Sequence, residues 1–250
     1  MTEIKQNERV DLTGFGSIGI IQDPGEFCYG VDSVLLADFC AGLIKKTGTF
    51  TRIMDLGTGS GIIPLILCHK TPAGTIYGID IQENSIDRAL RSSHLNDLED
   101  RLNFMVADVK DFVEENGDLK GTFDAVTCNP PYFVDGGGIK PDNPARLISR
   151  HETTAGLEDF IRCASELLRD KGDLFMVHRP SRLCDIFQAA RKYSLEPKSL
   201  RQVVPRRGET ANIVLVHMIK NGGSDLSVLP ELAVHDNKGN YTEELREAYL

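Results

Sequence analysis

The most specific chemistry in this 250-residue sequence lies in one tetrapeptide, Asn129-Pro130-Pro131-Tyr132. Each proline fixes its own φ and lacks an N–H donor, and Pro130 pushes Asn129 toward an extended conformation. Two acceptors remain, the Asn129 side-chain oxygen and the Pro130 carbonyl, and together they can take both protons of an NH₂ group. Such a corner orients the nitrogen lone pair, and the ring of Tyr132 offers a face for stacking. The alternative interpretation is a plain turn after a strand.

A glycine-rich turn precedes this corner, in the segment Asp55-Leu56-Gly57-Thr58-Gly59-Ser60-Gly61. Glycines let the backbone turn sharply and approach a ligand without side-chain obstruction. The spacing is GxGxG rather than the GxGxxG of dinucleotide dehydrogenases, which disfavours a nicotinamide oxidoreductase. Taken alone the motif is weak, because glycine-rich turns between a strand and a helix are common.

Two aspartates end the next two predicted strands. Asp80, in Gly78-Ile79-Asp80-Ile81, follows the glycine turn by roughly twenty residues, where a carboxylate can accept from ribose hydroxyls. Asp108, in Val106-Ala107-Asp108-Val109, can accept from an adenine amino group. Each aspartate alone could simply cap the helix that follows it. The glycine turn, Asp80 and Asp108 occur together in this order by chance less often than any one of them alone.

These segments require a scaffold that brings strand ends together. Strands are predicted at 52–56, 75–81, 102–107, 123–128, 172–178, 199–204 and 211–219, and helices at 62–69, 84–95, 109–115, 157–169 and 183–192. The alternation implies a mostly parallel sheet with helices on both faces, and the two final strands imply an antiparallel pair at an edge. In such α/β sheets ligands bind beyond the carboxyl ends of the strands.

The first 50 residues show weaker patterns. Residues 1–15 are expected to be loosely ordered, and residues 16–29 to form two short extended segments around the turn Asp23-Pro24-Gly25. Asp32 or Ser33 is placed to cap an amphipathic helix that continues to Leu43.

Composition restricts the class of protein. Hydrophobic residues make up 41% and charged residues 26%, which is ordinary for a soluble globular protein. No apolar run approaches the roughly 20 residues that span a bilayer, and the polar first fifteen residues show no secretory signal. The six cysteines are scattered, without a CxxC pair or a histidine at metal spacing. We therefore expect reduced thiols in a cytoplasmic protein and no metal site.

The net charge of -9 argues against general affinity for nucleic acid. Basic residues are nevertheless concentrated in one stretch, where only Asp185 and Glu196 oppose Arg179, Arg182, Arg191, Lys192, Lys198, Arg201, Arg206 and Arg207. This stretch is either a local basic face or a solvated helix face followed by a loop.

Together, these residues resemble class I S-adenosylmethionine-dependent methyltransferases that act on amino groups, over roughly residues 32–219. Similar corners occur in DNA and RNA adenine-N6 enzymes and in glutamine-N5 enzymes that modify release factors. Four further segments look like those of tRNA1(Val) (adenosine-N6) methyltransferases: Tyr29-Gly30-Val31-Asp32-Ser33-Val34-Leu35-Leu36, Arg150-His151-Glu152, Pro205-Arg206-Arg207-Gly208-Glu209-Thr210-Ala211 and Tyr241-Thr242-Glu243-Glu244.

The resemblance implies a seven-stranded, mostly parallel, Rossmann-like methyltransferase sheet with an antiparallel edge strand. It implies an N-terminal extension with short strands at 1–30, the methyltransferase domain at 31–220 and a C-terminal tail packing on it at 221–250. The expected cofactor is S-adenosyl-L-methionine, with S-adenosyl-L-homocysteine as product and no metal. The expected substrate is a tRNA adenosine beside the anticodon of a valine tRNA. The protein is expected in the cytoplasm, without membrane contact, as a monomer or a homodimer.

The resemblance also assigns roles to residues. Catalysis is expected from Asn129, Pro130 and Tyr132. Cofactor binding is expected from Tyr29, Asp32, Asp55, Gly57, Gly59, Gly61, Asp80, Ile81, Asp108, Val109 and Asn129. Substrate binding is expected from Phe133, Arg150, Arg179, Arg206 and Arg207.

Three other functions are compatible with parts of the pattern. The same corner suits the amide NH₂ of a protein glutamine, which would not require the basic stretch. A non-catalytic cofactor-binding or RNA-binding module would not require Asn129 and Tyr132. A nicotinamide oxidoreductase is disfavoured by the glycine spacing. His151 and His178 are expected to be structural or phosphate-facing, because a methylated amine loses its proton readily to water.

Overall fold

The computed structural model describes residues 2–26, 28–47, 52–131 and 155–249. A hairpin of β1 (Arg9–Leu12) and β2 (Gly19–Gln22) precedes the main sheet. The expectation of loose order over residues 1–15 is therefore wrong, since β1 lies within them. Strand β1 has no apolar pattern in the sequence because its residues are largely exposed. It is held as a strand by its pairing with β2, which is buried.

Eight strands form the main sheet, in the spatial order β10-β8-β9-β7-β6-β3-β4-β5. They are β3 (Arg52–Leu56), β4 (Thr75–Asp80), β5 (Leu102–Val106), β6 (Phe123–Cys128), β7 (Leu168–His178), β8 (Leu195–Arg206), β9 (Ile213–Lys220) and β10 (Ser227–His235). The described helices are α1 (Val31–Thr47), α2 (Ile62–Lys70), α3 (Glu83–Leu95), α4 (Phe112–Glu115), α5 (Leu157–Leu167), α6 (Leu183–Lys192) and α7 (Glu243–Ala248).

Both faces of the sheet are buried under helices. Successive residues of one strand point to opposite faces, so Ile53 of β3 belongs to one apolar core and Met54 to the other. Helices α1 and α2 cover the first face, while α5 and α6 cover the second. The predicted mostly parallel α/β sheet covered on both faces is confirmed.

The order of strands in the sheet reverses at β3: β4 and β5 lie on one side of it, whereas β6 and the strands after it lie on the other. This strand pairs in parallel with β4 on one side and with β6 on the other, with Leu56 opposite both Ile79 and Cys128. The segments that follow these three residues therefore emerge side by side. They begin with Gly57 after β3, Asp80 at the end of β4 and Asn129 after β6. In open α/β sheets this reversal point is where ligands bind.

The antiparallel strand lies inside the sheet rather than at its edge. Strand β9 runs antiparallel to both β7 and β8, and its first six residues are buried. The edge belongs instead to β10, which pairs in parallel with β8 and raises the predicted count of seven strands to eight. Strand β10 could not be predicted from the sequence because Pro230 interrupts the strand pattern. The pairing register with β8 shifts at the same place, between Leu229 and Leu232. Proline is tolerated at such an edge position.

All six cysteines are free thiols, and four of them are buried. None of the helices in the described ranges is long and apolar enough to cross a membrane.

Candidate functional site

The glycine-rich turn after β3 is held by hydrogen bonds to the end of β4. The N–H groups of Gly57 and Thr58 both donate to the Ile79 carbonyl, each at 2.9 Å. The N–H of Gly59 donates to Asp80 Oδ2, also at 2.9 Å. The turn therefore has a fixed shape before any ligand binds.

Gly61 ends this turn and begins α2. Its φ is +84°, in the left-handed region that favours glycine. A Cβ at this position would lie 2.9 Å from the Phe104 ring and 3.1 Å from Ala89 Cβ. The third glycine of the motif is thus required both by backbone conformation and by the close packing of α2 against β5 and α3.

Asp80 is 8% exposed and both of its carboxylate oxygens hold backbone groups. Oδ2 accepts from Gly59, and Oδ1 accepts from the Gln82 N–H at 2.9 Å. Burial raises the pKa of Asp80, while the two backbone hydrogen bonds and the charge of Arg88 act in the opposite direction. A carboxylate has about four acceptor positions, so Asp80 can still accept from ligand hydroxyls.

Asp55 is completely buried beneath the glycine turn. Its Oδ1 accepts from the Thr127 hydroxyl at 2.7 Å, whereas Oδ2 has no hydrogen-bond partner in the described part of the chain. Burial raises the pKa of Asp55 to about 7, and the nearby hydroxyls of Thr127 and then Thr58 offset part of that rise. An orphaned carboxylate oxygen is costly, so the site suits a ligand that brings a cation or a donor.

The raised pKa of Asp55 predicts how stability depends on pH. Because the pKa is about 7 in the fold and 3.8 ordinarily, the contribution of Asp55 to stability is complete below pH 3.8. It is lost as pH rises through 7. We expect Asp55→Asn, which is always neutral, to gain thermal stability over the unmutated protein, slightly at pH 5 and more at pH 8. Thermal unfolding without cofactor measures this, with Asp118→Asn at an exposed turn as control. A difference independent of pH would contradict it.

The Asn-Pro corner follows β6 and is held by α1. Asn129 Nδ2 donates to Ser33 Oγ at 3.1 Å, and Ser33 is a buried residue in the first turn of α1. Pro130 is buried and Pro131 is half-buried. The amide group of Asn129 is therefore fixed on its nitrogen side by another element. Tyr132, the third predicted catalytic residue, lies outside the described residues.

Asp108 follows β5, next to the end of β4, since the Ala107 N–H donates to the Asp80 carbonyl at 3.0 Å. Asp108 Oδ1 accepts from the Lys110 N–H at 2.9 Å, which gives the side chain a local role in the turn before α4. Oδ2 lies 3.8 Å from Lys110 Nζ. The carboxyl group is partly exposed and remains within reach of a ligand, while Val109 beside it is buried in the core.

The segment between β2 and α1 passes along this end of the sheet. The Tyr29 N–H donates to Gln22 Oε1 at 3.0 Å, and Glu26 forms an ion pair with the buried Arg88 of α3. The phenol of Tyr29 has a raised pKa because the ring is half-buried and, in second place, because Asp11 is near. Tyr29 therefore lies toward the N-terminal hairpin, and Asp32 lies in the first turn of α1.

The family of the chain follows from its similarity to known proteins. Residues 17–189 match the model of the methyltransferase small domain, which is more than half of the chain. The chain belongs to the methyltransferase small domain family. A tRNA1(Val) (adenine(37)-N6)-methyltransferase of Porphyromonas gingivalis is 30% identical over 193 residues, covering 77% of this chain and 74% of the relative. This similarity confirms the branch of methyltransferases that the sequence motifs resemble.

Two further relatives extend the match. A tRNA1(Val) (adenine(37)-N6)-methyltransferase of Christiangramia forsetii is 28% identical over 233 residues, covering 93% of each chain. The solved structure of a protein described as a predicted O-methyltransferase, from Agrobacterium tumefaciens, matches with a TM-score of 0.67 and 24% identity. It covers 87% of this chain and 96% of that one. This last likeness supports the methyltransferase fold.

The basic residues of this methyltransferase divide into two groups. Arg179 follows β7, Arg206 ends β8 and Arg207 begins the connection to β9, so all three lie at the carboxyl end of the sheet and are exposed. Arg179 Nη1 donates to the Asn212 carbonyl at 3.2 Å, which brings it against the β8–β9 connection. Among the described residues Arg206 forms one ion pair, an exposed one with Glu209 at 3.5 Å, which is a weak interaction.

The other basic side chains of the stretch are engaged elsewhere. Arg191 pairs with Glu196, Lys192 with Glu158, and Arg201 with Glu244. The count of eight basic against two acidic residues therefore overstates the basic face, because acidic partners come from other parts of the chain.

His178 ends β7 and is buried. Burial, followed by the charge of Arg182, lowers its pKa to about 4, and its Nδ1 accepts from the Arg179 N–H at 2.8 Å. A neutral ring held in this way fits a structural role, which is one of the two roles expected for it. His151, like Phe133 and Arg150, lies outside the described residues.

Sequence reasoning missed three residues of the site. Ser33 was interpreted only as a helix cap, although it contacts Asn129, and neither Thr127 nor Arg88 was singled out. Thr127 precedes Asn129 by two residues in a strand, so its polar side chain in a fully buried strand was the available signal. Nothing in the local sequence pairs Arg88 with Glu26, which is 62 residues away.

Proposed function

We propose that the protein transfers the methyl group of S-adenosyl-L-methionine to N6 of a tRNA adenosine beside the anticodon of a valine tRNA. The observation that carries this proposal is the junction of two features at the reversal point of the sheet. The glycine turn with Asp80 lies beside an Asn-Pro corner whose amide is held by α1. Relatives named tRNA1(Val) (adenine(37)-N6)-methyltransferases, matching most of their length, support the adenosine target.

The residues of the first feature fit the cofactor. Gly59 has open space where a side chain would stand and leaves room for the methionine part, whereas Gly57 packs against the Phe160 ring. The orphaned oxygen of Asp55 suits the amino group of that part. Asp80 keeps acceptor positions for the ribose hydroxyls. Asp108 can accept from the adenine amino group. In this proposal Tyr29, Asp32 and Ile81 line the approach, the buried Val109 supports it from the core, and the reaction uses no metal ion.

The residues of the second feature hold the group that is methylated. Asn129 Oδ1 and the Pro130 carbonyl accept the two protons of the adenine amino group, so the nitrogen lone pair is drawn from conjugation with the ring. When bound, the cofactor supplies an electrophilic methyl group on its sulfonium. The protein contributes mainly orientation of the amine for an in-line approach, which can contribute several kcal/mol. The proton released from the methylated nitrogen passes to water, without a dedicated base.

The tRNA is held by phosphate contacts. Arg179, Arg206 and Arg207 are exposed at the same end of the sheet as Asn129 and are positioned to bind the backbone around an unstacked adenosine. From the sequence, Arg150 adds a charge, while Tyr132 and Phe133 add stacking surface. A tRNA substrate is met in the cytoplasm, so we include a cytoplasmic location without membrane contact in the proposal.

Mass spectrometry of nucleosides from tRNA incubated with and without the protein tests the proposal, with N6-methyladenosine as the expected new species. The double variant Arg206→Glu/Arg207→Glu is expected to raise KM for tRNA about 30-fold or more near physiological salt. Affinity for the cofactor should not change. Arg191→Glu/Lys192→Glu, which makes the same charge change at the far end of α6, should alter KM by less than about threefold.

Two results would overturn the proposal. Methylated glutamine in a protein substrate, with no methylated tRNA, would favour the other amino-group reaction. Binding of the cofactor without any turnover would favour a non-catalytic module.

A further inference from the structure

We infer that Ser33 is a positioning residue: it orients the Asn129 amide so that the oxygen, rather than the nitrogen, faces the amino group to be methylated. The inference rests on the proposed function and adds to it a residue that lies outside both the glycine turn and the Asn-Pro corner.

The contact joins two distant parts of the chain. Ser33 lies in the first turn of α1, 96 residues before Asn129, and its side chain is 4% exposed. The residues that follow it, Val34, Leu35 and Leu36, are buried in the core under the sheet. The hydroxyl of Ser33 is therefore held in place by a rigid, well-packed helix, at 3.1 Å from Asn129 Nδ2.

The orientation of the amide decides whether the corner can work. Rotating an asparagine amide by half a turn exchanges its acceptor oxygen for a donor NH₂ group. With the NH₂ group toward the substrate, two donor groups would face each other and the amine could not be held. A partner that accepts from Nδ2 on the opposite side selects the productive orientation.

Serine in this position can act as that acceptor. A hydroxyl group both donates and accepts, and its hydrogen can rotate away from an incoming donor. In the structure Asn129 Nδ2 donates to Ser33 Oγ, and Oγ makes no other hydrogen bond among the described residues. The lone pairs of Oγ therefore face Asn129 Nδ2.

Three variants test the inference, all assayed with the full chain, labelled cofactor and tRNA. Ser33→Ala removes the acceptor at a helical position where alanine is well tolerated. Ser33→Thr keeps the hydroxyl. Ser93→Ala is the matched control, because Ser93 is a buried helical serine of α3 whose hydroxyl has no partner among the described residues.

We expect Ser33→Ala to lower kcat about tenfold, since the hydrogen bond from Asn129 Nδ2 that favours the productive orientation of the amide is lost. The melting temperature and the dissociation constant for the cofactor should stay close to those of the unmutated protein. Ser33→Thr should keep at least about a third of kcat, and Ser93→Ala should match the unmutated protein.

The inference and the proposed function fail in different ways. If the unmutated protein methylates tRNA and Ser33→Ala keeps full kcat, the inference is overturned and the function stands. The same holds if Ser33→Thr loses as much kcat as Ser33→Ala, or if the loss follows cofactor affinity. If the unmutated protein transfers no methyl group to tRNA, the proposed function itself is wrong.

Discussion

Asn129→Ala is expected to lower kcat for methyl transfer to tRNA by roughly a thousandfold or more, with cofactor affinity changed by less than about threefold. The variant removes one of the two acceptors that hold the amino protons, and it removes the one whose orientation the fold controls through Ser33. The backbone corner should survive, because Pro130 remains buried and β6 keeps its pairing with β3 and β7.

Single-turnover transfer of labelled methyl to tRNA measures the rate, and calorimetry with the cofactor measures binding. Thermal unfolding must show an intact fold, since the variant leaves the Ser33 hydroxyl without Asn129. Ser93→Ala again serves as the control. If Asn129→Ala transferred methyl at the normal rate, the proposed role of the corner would be wrong.

Asp80→Asn is expected to weaken binding of S-adenosyl-L-methionine about a hundredfold. Asparagine has one acceptor oxygen and one donor group, so it cannot accept from both Gly59 and Gln82, as Asp80 does. The backbone N–H of either Gly59 or Gln82 would then face the amide NH₂ group of the new asparagine, which is also a donor. This loss of a hydrogen bond loosens the glycine turn. The charge-assisted hydrogen bonds proposed for the ribose hydroxyls are lost as well, and these are individually stronger than neutral ones.

The kinetic pattern separates this variant from Asn129→Ala. At saturating cofactor, Asp80→Asn should recover most of kcat, because the amine is still held in its productive orientation. Asp87→Asn is the matched control on the adjoining helix α3, where the carboxylate pairs with the exposed Lys5 and the largely buried Arg91. If Asp80→Asn and Asp87→Asn bound the cofactor with equal affinity, the proposed binding of the ribose hydroxyls by Asp80 would be wrong.

The order of the site along the chain follows from local sequence alone. Alternating strands and helices imply parallel strands, and parallel strands place their carboxyl ends at one edge. The glycine turn, Asp80, Asp108 and Asn129 all follow or end strands, so their convergence could be predicted from patterns of a few residues each. The rigidity of the corner is likewise a property of Pro130 and its neighbours.

Pairing between distant segments could not be predicted in the same way. The interior position of β9 and the addition of β10 depend on which strands meet, and Pro230 masks the usual strand signal. In the sequence the basic stretch is either a local basic face or a solvated helix face followed by a loop. In the fold, Glu158 and Glu244 neutralise part of it from other elements.

The sequence by itself determined that an acceptor-rich corner of Asn129 and Pro130 would follow a strand of a nucleotide-binding type of sheet. Only the tertiary structure decided which way the Asn129 amide is held, because its partner Ser33 lies 96 residues away on α1. The physical reason is that backbone stiffness is encoded by neighbouring residues, whereas the orientation of an amide is set by a hydrogen bond that exists only once the helix and the sheet have packed together.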